Sequence, residues 1–215
     1  CALFTTDADD DAEEQIVTYP AYDEAEFLKD VYMDEDEYDT LVNLIRTKKN
    51  VILQGAPGVG KTFAAKRLAY SMMGVKDQNR VMMVQFHQSY TYEDFIEGFR
   101  PKDTGNGFEI KKGAFYHFCR KAGEDLGKEY FFIIDEINRG EVAKIFGELF
   151  YSVDPGYRVT SDDLNAIKND NKTITTIKTQ YANLETEGNE FDKVLQKKEK
   201  DFGHFFIPEN VYIIG

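Results

Sequence analysis

The residues most able to do chemistry lie in two short runs. The first, Gly55-Ala56-Pro57-Gly58-Val59-Gly60-Lys61-Thr62, fits the pattern G-x-x-x-x-G-K-[ST]. An apolar run precedes it and a helical pattern follows it, which is the setting a phosphate-cradling loop requires. Its glycines let successive backbone N–H groups point into one hollow. The start of the following helix adds positive potential there. Lys61 is then expected to reach the β- and γ-phosphates of a nucleotide, and Thr62 to offer its hydroxyl to Mg²⁺. The nucleotide-contacting set is read as Gly55 through Thr62, extended by Phe63. The second run is Tyr130-Phe131-Phe132-Ile133-Ile134 followed by Asp135-Glu136. An apolar strand ending in two carboxylates carries them to the edge of a sheet. Asp135 is the expected Mg²⁺ partner, directly or through water. Glu136 is the expected base that orients and activates an attacking water. The second run alone is a weak signal, but paired with the Gly-rich loop upstream it becomes a strong one. Enzymes that use such a loop to move phosphate onto a metabolite need no glutamate at this place. The pair therefore points to hydrolysis of a nucleoside triphosphate.

Those residues need elements to hold them. The apolar pattern predicts strands at about 50–55, 80–86, 129–135 and 210–215. Between them it predicts helices at Lys61–Met73, stopped by Gly74, at Tyr92–Gly98, at Gly113–Gly123 and at Glu141–Ser152. A further helix, opened by the acidic run Asp34–Asp39, leads into the first strand. Continuous apolar strands alternating with helices imply an α/β fold with a parallel sheet covered on both faces. The stretch from about 153 to 204 breaks this rhythm. It is polar, with scattered apolar residues, and too long for an ordinary loop. It reads as an insertion, with possible strand pairing in Thr173–Leu184 and a helix near Phe191–Lys200. The chain thus divides into an acidic tail (1–20), a helical lead-in (21–49) and a nucleotide-binding core (50–215).

The 215 residues carry a net charge of −13. Residues 1–40 hold 15 acidic residues and one basic residue, so the remainder holds 25 basic and 24 acidic. The acidity belongs to the start of the chain. The body has no basic stripe, so direct nucleic-acid binding by it is unsupported. Its two cysteines, Cys1 and Cys119, are too few for a disulfide framework or a cysteine zinc site. Cys119, among aromatic residues, reads as core. No stretch is long and apolar enough to span a membrane. No signal peptide is visible, and a reducing, cytoplasmic setting fits. The absence of an initial Met suggests part of a longer protein. His87, Gln88 and Ser89 follow the second strand on the expected ligand side, but one histidine does not make a metal site. Tyr90, Tyr92, Phe95 and Phe99 read as packing, and Lys111-Lys112 as a solvated turn.

Four segments resemble the NTPase subunit of McrBC-type modification-dependent restriction systems, within the AAA+ superfamily. They are KKNVILQGAPGVGKTFAAKRLAY (48–70), VQFHQSYTYEDFIEGFRP (84–101), YFFIIDEINRGEVAKIFGELF (130–150) and FFIPENVYIIG (205–215). The resemblance covers about residues 27–152 and 205–215. It implies that the last strand lies between the first and third, as in other AAA+ P-loop proteins, so that the Gly-rich loop and Asp135 share one crevice. It implies an ATP- or GTP-driven ring, often hexameric, that works with a McrC-like nuclease partner and meets DNA through other domains or that partner. Within DEINRG it implies roles for Asn138, in positioning water, and Arg139, facing a neighbouring subunit. On the residues alone, Asn138 equally suits a helix cap and Arg139 a surface ion pair. The insertion is longer than the family pattern suggests. The family's sensor and helical lid would follow Gly215, so this chain is expected to be monomeric and to hydrolyse poorly. A MoxR-like ATPase that remodels proteins is the competing reading.

Overall fold

A computed structural model describes residues 18–215, apart from Pro57, 103–104 and 169–173. The acidic residues 1–17 and Pro57 of the Gly-rich loop lie outside the described residues. Helix α1 (Glu24–Asp30) is capped by Asp23, and α2 (Glu35–Lys48) opens on a capping box. Asp34 accepts from the Glu37 N–H at 2.8 Å, and the Glu37 carboxylate accepts from the Asp34 N–H at 3.3 Å. Two orphan donors of the first turn are thereby satisfied. Lys49, left-handed at φ 59°, ends α2 and turns the chain into β1 (Asn50–Val51). Helix α3 (Lys61–Met73) stops at Gly74, as the sequence predicts. Strand β2 (Val81–Gln85) follows.

The main sheet also contains β5 (Tyr130–Asp135) and β8 (Val211–Ile214). Its order is β1-β8-β5-β2 and every pairing is parallel. The last strand therefore lies between the first and third, as expected. The first strand is shorter than expected, since only Asn50 and Val51 pair in register, with Ile213 and Ile214. The ladder closes with the Leu53 N–H donating to the Gly215 carbonyl at 2.7 Å. The central strands are apolar on both faces because both are covered. Phe131, Ile133, Tyr212 and Ile214 pack with residues of α1, α2 and α3. Phe132, Ile134, Val211 and Ile213 face the other way, into a larger aromatic core.

That second core contains elements the apolar pattern did not show. Helix α4 (Tyr92–Phe95) ends three residues before the predicted Gly98, and the chain turns into a hairpin of β3 (Glu97–Pro101) and β4 (Phe108–Lys112). Gly98 allows this, because a Cβ there would sit 2.3 Å from that of Glu93. Lys112 closes β4 half-buried, so the expected solvated turn at Lys111-Lys112 is corrected to strand. Helix α5 (Ala114–Glu124) lies close to prediction. The predicted helix 141–152 is interrupted. Helix α6 (Val142–Phe146) gives way at Gly147, which has φ 52°, to a 3₁₀ segment reaching Val153.

The insertion is more buried than its polarity suggests. It forms α7 (Ser161–Lys168), β6 (Ile177–Lys178) and α8 (Glu190–Val194), and β6 pairs antiparallel with β7 (His204–Phe205). Val159, Leu164, Ile177, Phe191 and Leu195 from it are buried in the aromatic core. Arg158 pins its start. The guanidinium is buried and donates to the Val153 carbonyl at 2.9 Å and the Val211 carbonyl at 2.9 Å. Burial lowers its pKa to about 10. Among the described residues no helix is long and apolar enough to cross a membrane.

Phe95 is the hub of the aromatic core. Its fully buried ring stacks on Phe115 at 4.7 Å and lies 4.7 Å from Phe146 and 5.7 Å from Phe132. Phe95→Ala leaves a void bordered by three elements and is expected to cost about 3–5 kcal/mol. Urea unfolding followed by circular dichroism measures this. A loss below about 1 kcal/mol would show that the core collapses around the gap.

Candidate nucleotide-binding site

The Gly-rich loop starts where β1 leaves the sheet. Gly58 and Gly60 sit at φ 82° and 84°, where a Cβ would strain the backbone. Gly60 is also the N-cap of α3 and brings no side chain to occupy the first-turn N–H groups. Those donors are what an anion at a helix N-terminus uses. Lys61 folds back over the loop, donating to the carbonyls of Gly55 at 2.9 Å and Ala56 at 3.0 Å. Val59 and Phe63 are exposed. The Arg67 guanidinium lies 3.3 Å above the Phe63 ring and donates through Nε to Asp30 at 2.8 Å. The first turns of α3 are thus fastened to α1.

The second half of the site is the end of β5. Asp135 stands opposite Gln85 in register and accepts the Phe86 N–H on its carbonyl at 2.9 Å. Its carboxylate accepts from the Thr62 hydroxyl at 2.7 Å. Two side chains 73 positions apart in sequence therefore meet at the mouth of the loop. A hydroxyl and a carboxylate side by side are oxygen ligands of the kind a hard divalent cation takes.

Glu136 is the next residue, and its backbone is left-handed at φ 51°, ψ 41°. A non-glycine residue held there costs on the order of 1–3 kcal/mol. Periodicity in the sequence gave no sign of this strain. The 3₁₀ turn Ile137–Arg139 follows. It is closed by the Arg139 N–H on the Glu136 carbonyl at 2.8 Å and by Arg139 Nε on the Glu136 carboxylate at 3.0 Å. Gly140 presses the turn down, since a Cβ there would lie 2.7 Å from Ile145 and 2.9 Å from Phe86. Asn138 is exposed within the turn and not at a helix cap, which corrects the capping alternative. Arg139 makes the surface ion pair that its residue type allowed.

The loop after β2 borders the same edge of the sheet. His87 Nδ1 accepts the Ser89 N–H at 3.2 Å and so shapes a turn. Tyr90 stacks on Phe86 at 4.9 Å, and burial pushes its hydroxyl up to about 12. Tyr90, Tyr92 and Phe95 are packing residues, as expected, whereas Phe99 is half-exposed beside Phe108 and Tyr181.

Residues 50–202 match the family model of the AAA domain, dynein-related subfamily. The chain is 44% identical over 188 residues to the Type IV methyl-directed restriction enzyme EcoKMcrB subunit of Escherichia coli (strain K12), covering 87% of this chain and 34% of that protein. It is 29% identical over 139 residues to the Type II restriction enzyme BsuMI component YdiS of Bacillus subtilis (strain 168), covering 53% of this chain and 40% of that one. The chain thus spans well under half the length of either relative. A candidate ATPase from Cytophaga hutchinsonii superposes with a TM-score of 0.41 at 16% identity, over 88% of this chain and 40% of its own.

The left-handed backbone at Glu136 generates a stability test. Glu136→Gly relieves that strain and is expected to raise the unfolding free energy by about 1 kcal/mol. Urea denaturation with an unchanged m-value reads it out. A fall in stability would mean that the Glu136–Arg139 pair outweighs the strain.

Proposed function

This chain belongs to the dynein-related subfamily of the AAA domain family as a McrB-like NTPase, and from that premise we propose Mg²⁺-dependent hydrolysis of ATP or GTP at the Gly55–Thr62 crevice. The observation that carries this reading is the Thr62–Asp135 contact at 2.7 Å, which joins the loop to the acidic end of β5. The residues assigned to the nucleotide are Gly55, Ala56, Pro57, Gly58, Val59 and Gly60, together with Lys61, Thr62 and Phe63 at the start of α3. Lys61 exchanges its two carbonyl acceptors for phosphate oxygens. Thr62 and Asp135 would hold Mg²⁺, which when bound neutralises charge that builds up on the transferring phosphoryl group. Glu136 orients a water and accepts its proton as the oxygen bonds to the γ-phosphorus and the bond to the bridging oxygen breaks. The strain at Glu136 supports this role, because a glycine would fit the backbone better and carry no carboxylate. Asn138, exposed two residues on, is assigned the part of helping to orient that water. Arg139 is exposed enough to reach a neighbouring copy.

We infer the wider setting from the relatives. The E. coli relative is a subunit of a methyl-directed restriction enzyme, and this chain is proposed to drive a ring-shaped assembly in such a system. A McrC-like nuclease partner and DNA contacts made outside this chain complete that reading. The near-neutral charge of residues 41–215 supports contact with DNA through other parts.

Two variants separate the assigned roles. Lys61→Ala removes charge-assisted bonds to phosphate and is expected to weaken binding of a fluorescent nucleotide by roughly 10- to 100-fold. Glu136→Gln keeps size and shape, and is expected to retain binding while phosphate release drops by about 10²–10⁴-fold. Equal loss of binding in both variants would contradict the assignment.

A further inference from the structure

The β3–β4 hairpin is a two-stranded ribbon outside the main sheet. Such a ribbon is marginal by itself in water, so something else must hold it. Its first register pair is Glu97 opposite Lys112. The Glu97 carboxylate is fully buried, and one oxygen accepts from Lys112 Nζ at 2.6 Å. The same ammonium group binds Glu185, whose side chain is only 6% exposed. Its third neighbour is the face of Tyr116, 4.7 Å below. One cation thus sits between a carboxylate of the hairpin and a carboxylate of the insertion. Burial raises the Glu185 pKa, and Lys112 opposes that rise.

The remaining bonds run in the same direction. The second oxygen of Glu97 accepts the Tyr181 N–H at 3.2 Å, and the Tyr181 hydroxyl donates to Glu93 of α4 at 3.0 Å. The Gln180 N–H donates to the Tyr92 hydroxyl at 3.2 Å, which in turn donates to Glu148 at 2.6 Å. Behind this contact, Asn189 donates to both Glu185, at 3.3 Å, and the His204 carbonyl, at 3.2 Å. The insertion is therefore fixed on one side to β7, which leads into β8, and on the other to the base of the hairpin.

We propose that the insertion is a brace for the β3–β4 hairpin, with Lys112 as the pin between Glu97 and Glu185, so that hairpin and brace open and move as one body. A half-buried ammonium shared by two buried carboxylates favours this over sliding, because separating the parts takes the cation from at least one of them. The placement of Tyr92 between Gln180 and Glu148 extends the same body to the segment that follows Glu136. Movement of that segment then reaches the hairpin through a packed connection and not across a flexible loop.

The test is hydrogen–deuterium exchange on the full 215-residue chain, without nucleotide. Glu185→Gln changes only the insertion, and it is expected to speed amide exchange at least about tenfold both in 177–186 and in 97–112. Exchange in β5 and β8 is expected to stay at native rates. Lys112→Met is expected to reproduce the paired acceleration, and Glu190→Gln, whose partner Lys193 is on the surface, to change neither segment. Acceleration of 177–186 with the hairpin at its native rate would overturn the proposal, as would native exchange in both segments. If Lys112→Met unfolds the whole chain, Glu185→Gln still decides.

Discussion

The site depends on one topological constraint. The Gly-rich loop leaves β1 and the acidic pair leaves β5, yet these strands never pair with each other. β8 stands between them, bonded to β1 through Asn50–Ile213 and Val51–Ile214 and to β5 through four register pairs. The distance between the two halves of the site is therefore set by a strand that carries none of the chemistry. Where the strands end, the halves meet through the Thr62 hydroxyl and the Asp135 carboxylate. The apolar character of β8 follows from this position. Val211 and Ile213 fill one core and Tyr212 and Ile214 the other, so each residue of the strand is needed on one face or the other.

The core beneath this edge is unusually aromatic, and the aromatic residues come from parts of the chain far apart in sequence. Phe86, Phe95, Phe115, Phe132, Phe146 and Phe205 are all buried in it. A ring buries a large apolar area while fixing few torsions. That lets short elements such as α4 and α6 hold position although neither could stand alone as a helix. The turn after Glu136 rests on the same core through Gly140, Phe86 and Ile145. The turn after Glu136 and the aromatic hub are thus one packed unit.

Glu136 shows a conflict between local preference and placement. Its backbone adopts a conformation that glycine favours, next to a β5 strand whose geometry is otherwise regular. Disagreement between local propensity and structure of this kind is expected at functional sites. The neighbouring Asp135 carries no such strain. It ends the strand in register and takes part in the ladder through its carbonyl.

Local patterns in the sequence are enough for the loop, the acidic pair, the helix α3 with its Gly74 stop and the four core strands. Each depends on near neighbours: glycine at a fixed offset, a cap, or an apolar run bounded by polar residues. The strand order reached further than any local pattern, and it rested on the resemblance to AAA+ P-loop proteins, in which that order brings the Gly-rich loop and the acidic pair into one crevice. The hairpin was not read, although Asn106-Gly107 at its turn is a known local signal, because its strands are too mixed in polarity to alternate cleanly. The role of Lys112 was misread for a different reason. Two adjacent lysines look solvated in any linear reading, and only the arrival of Glu185 from 73 residues downstream makes one of them a buried partner. The insertion shows in the sequence only as a polar stretch with sparse apolar residues, which gives no sign of how deeply it packs. The tertiary structure gathers Val159, Ile177, Phe191 and Leu195 onto one face, where even a few such residues bury well once polar groups between them find partners. What the sequence determined was therefore the candidate nucleotide-binding runs and the sheet that carries them. What only the three-dimensional fold decided was burial, because burial of a charge or an isolated apolar residue depends on partners that no local window contains.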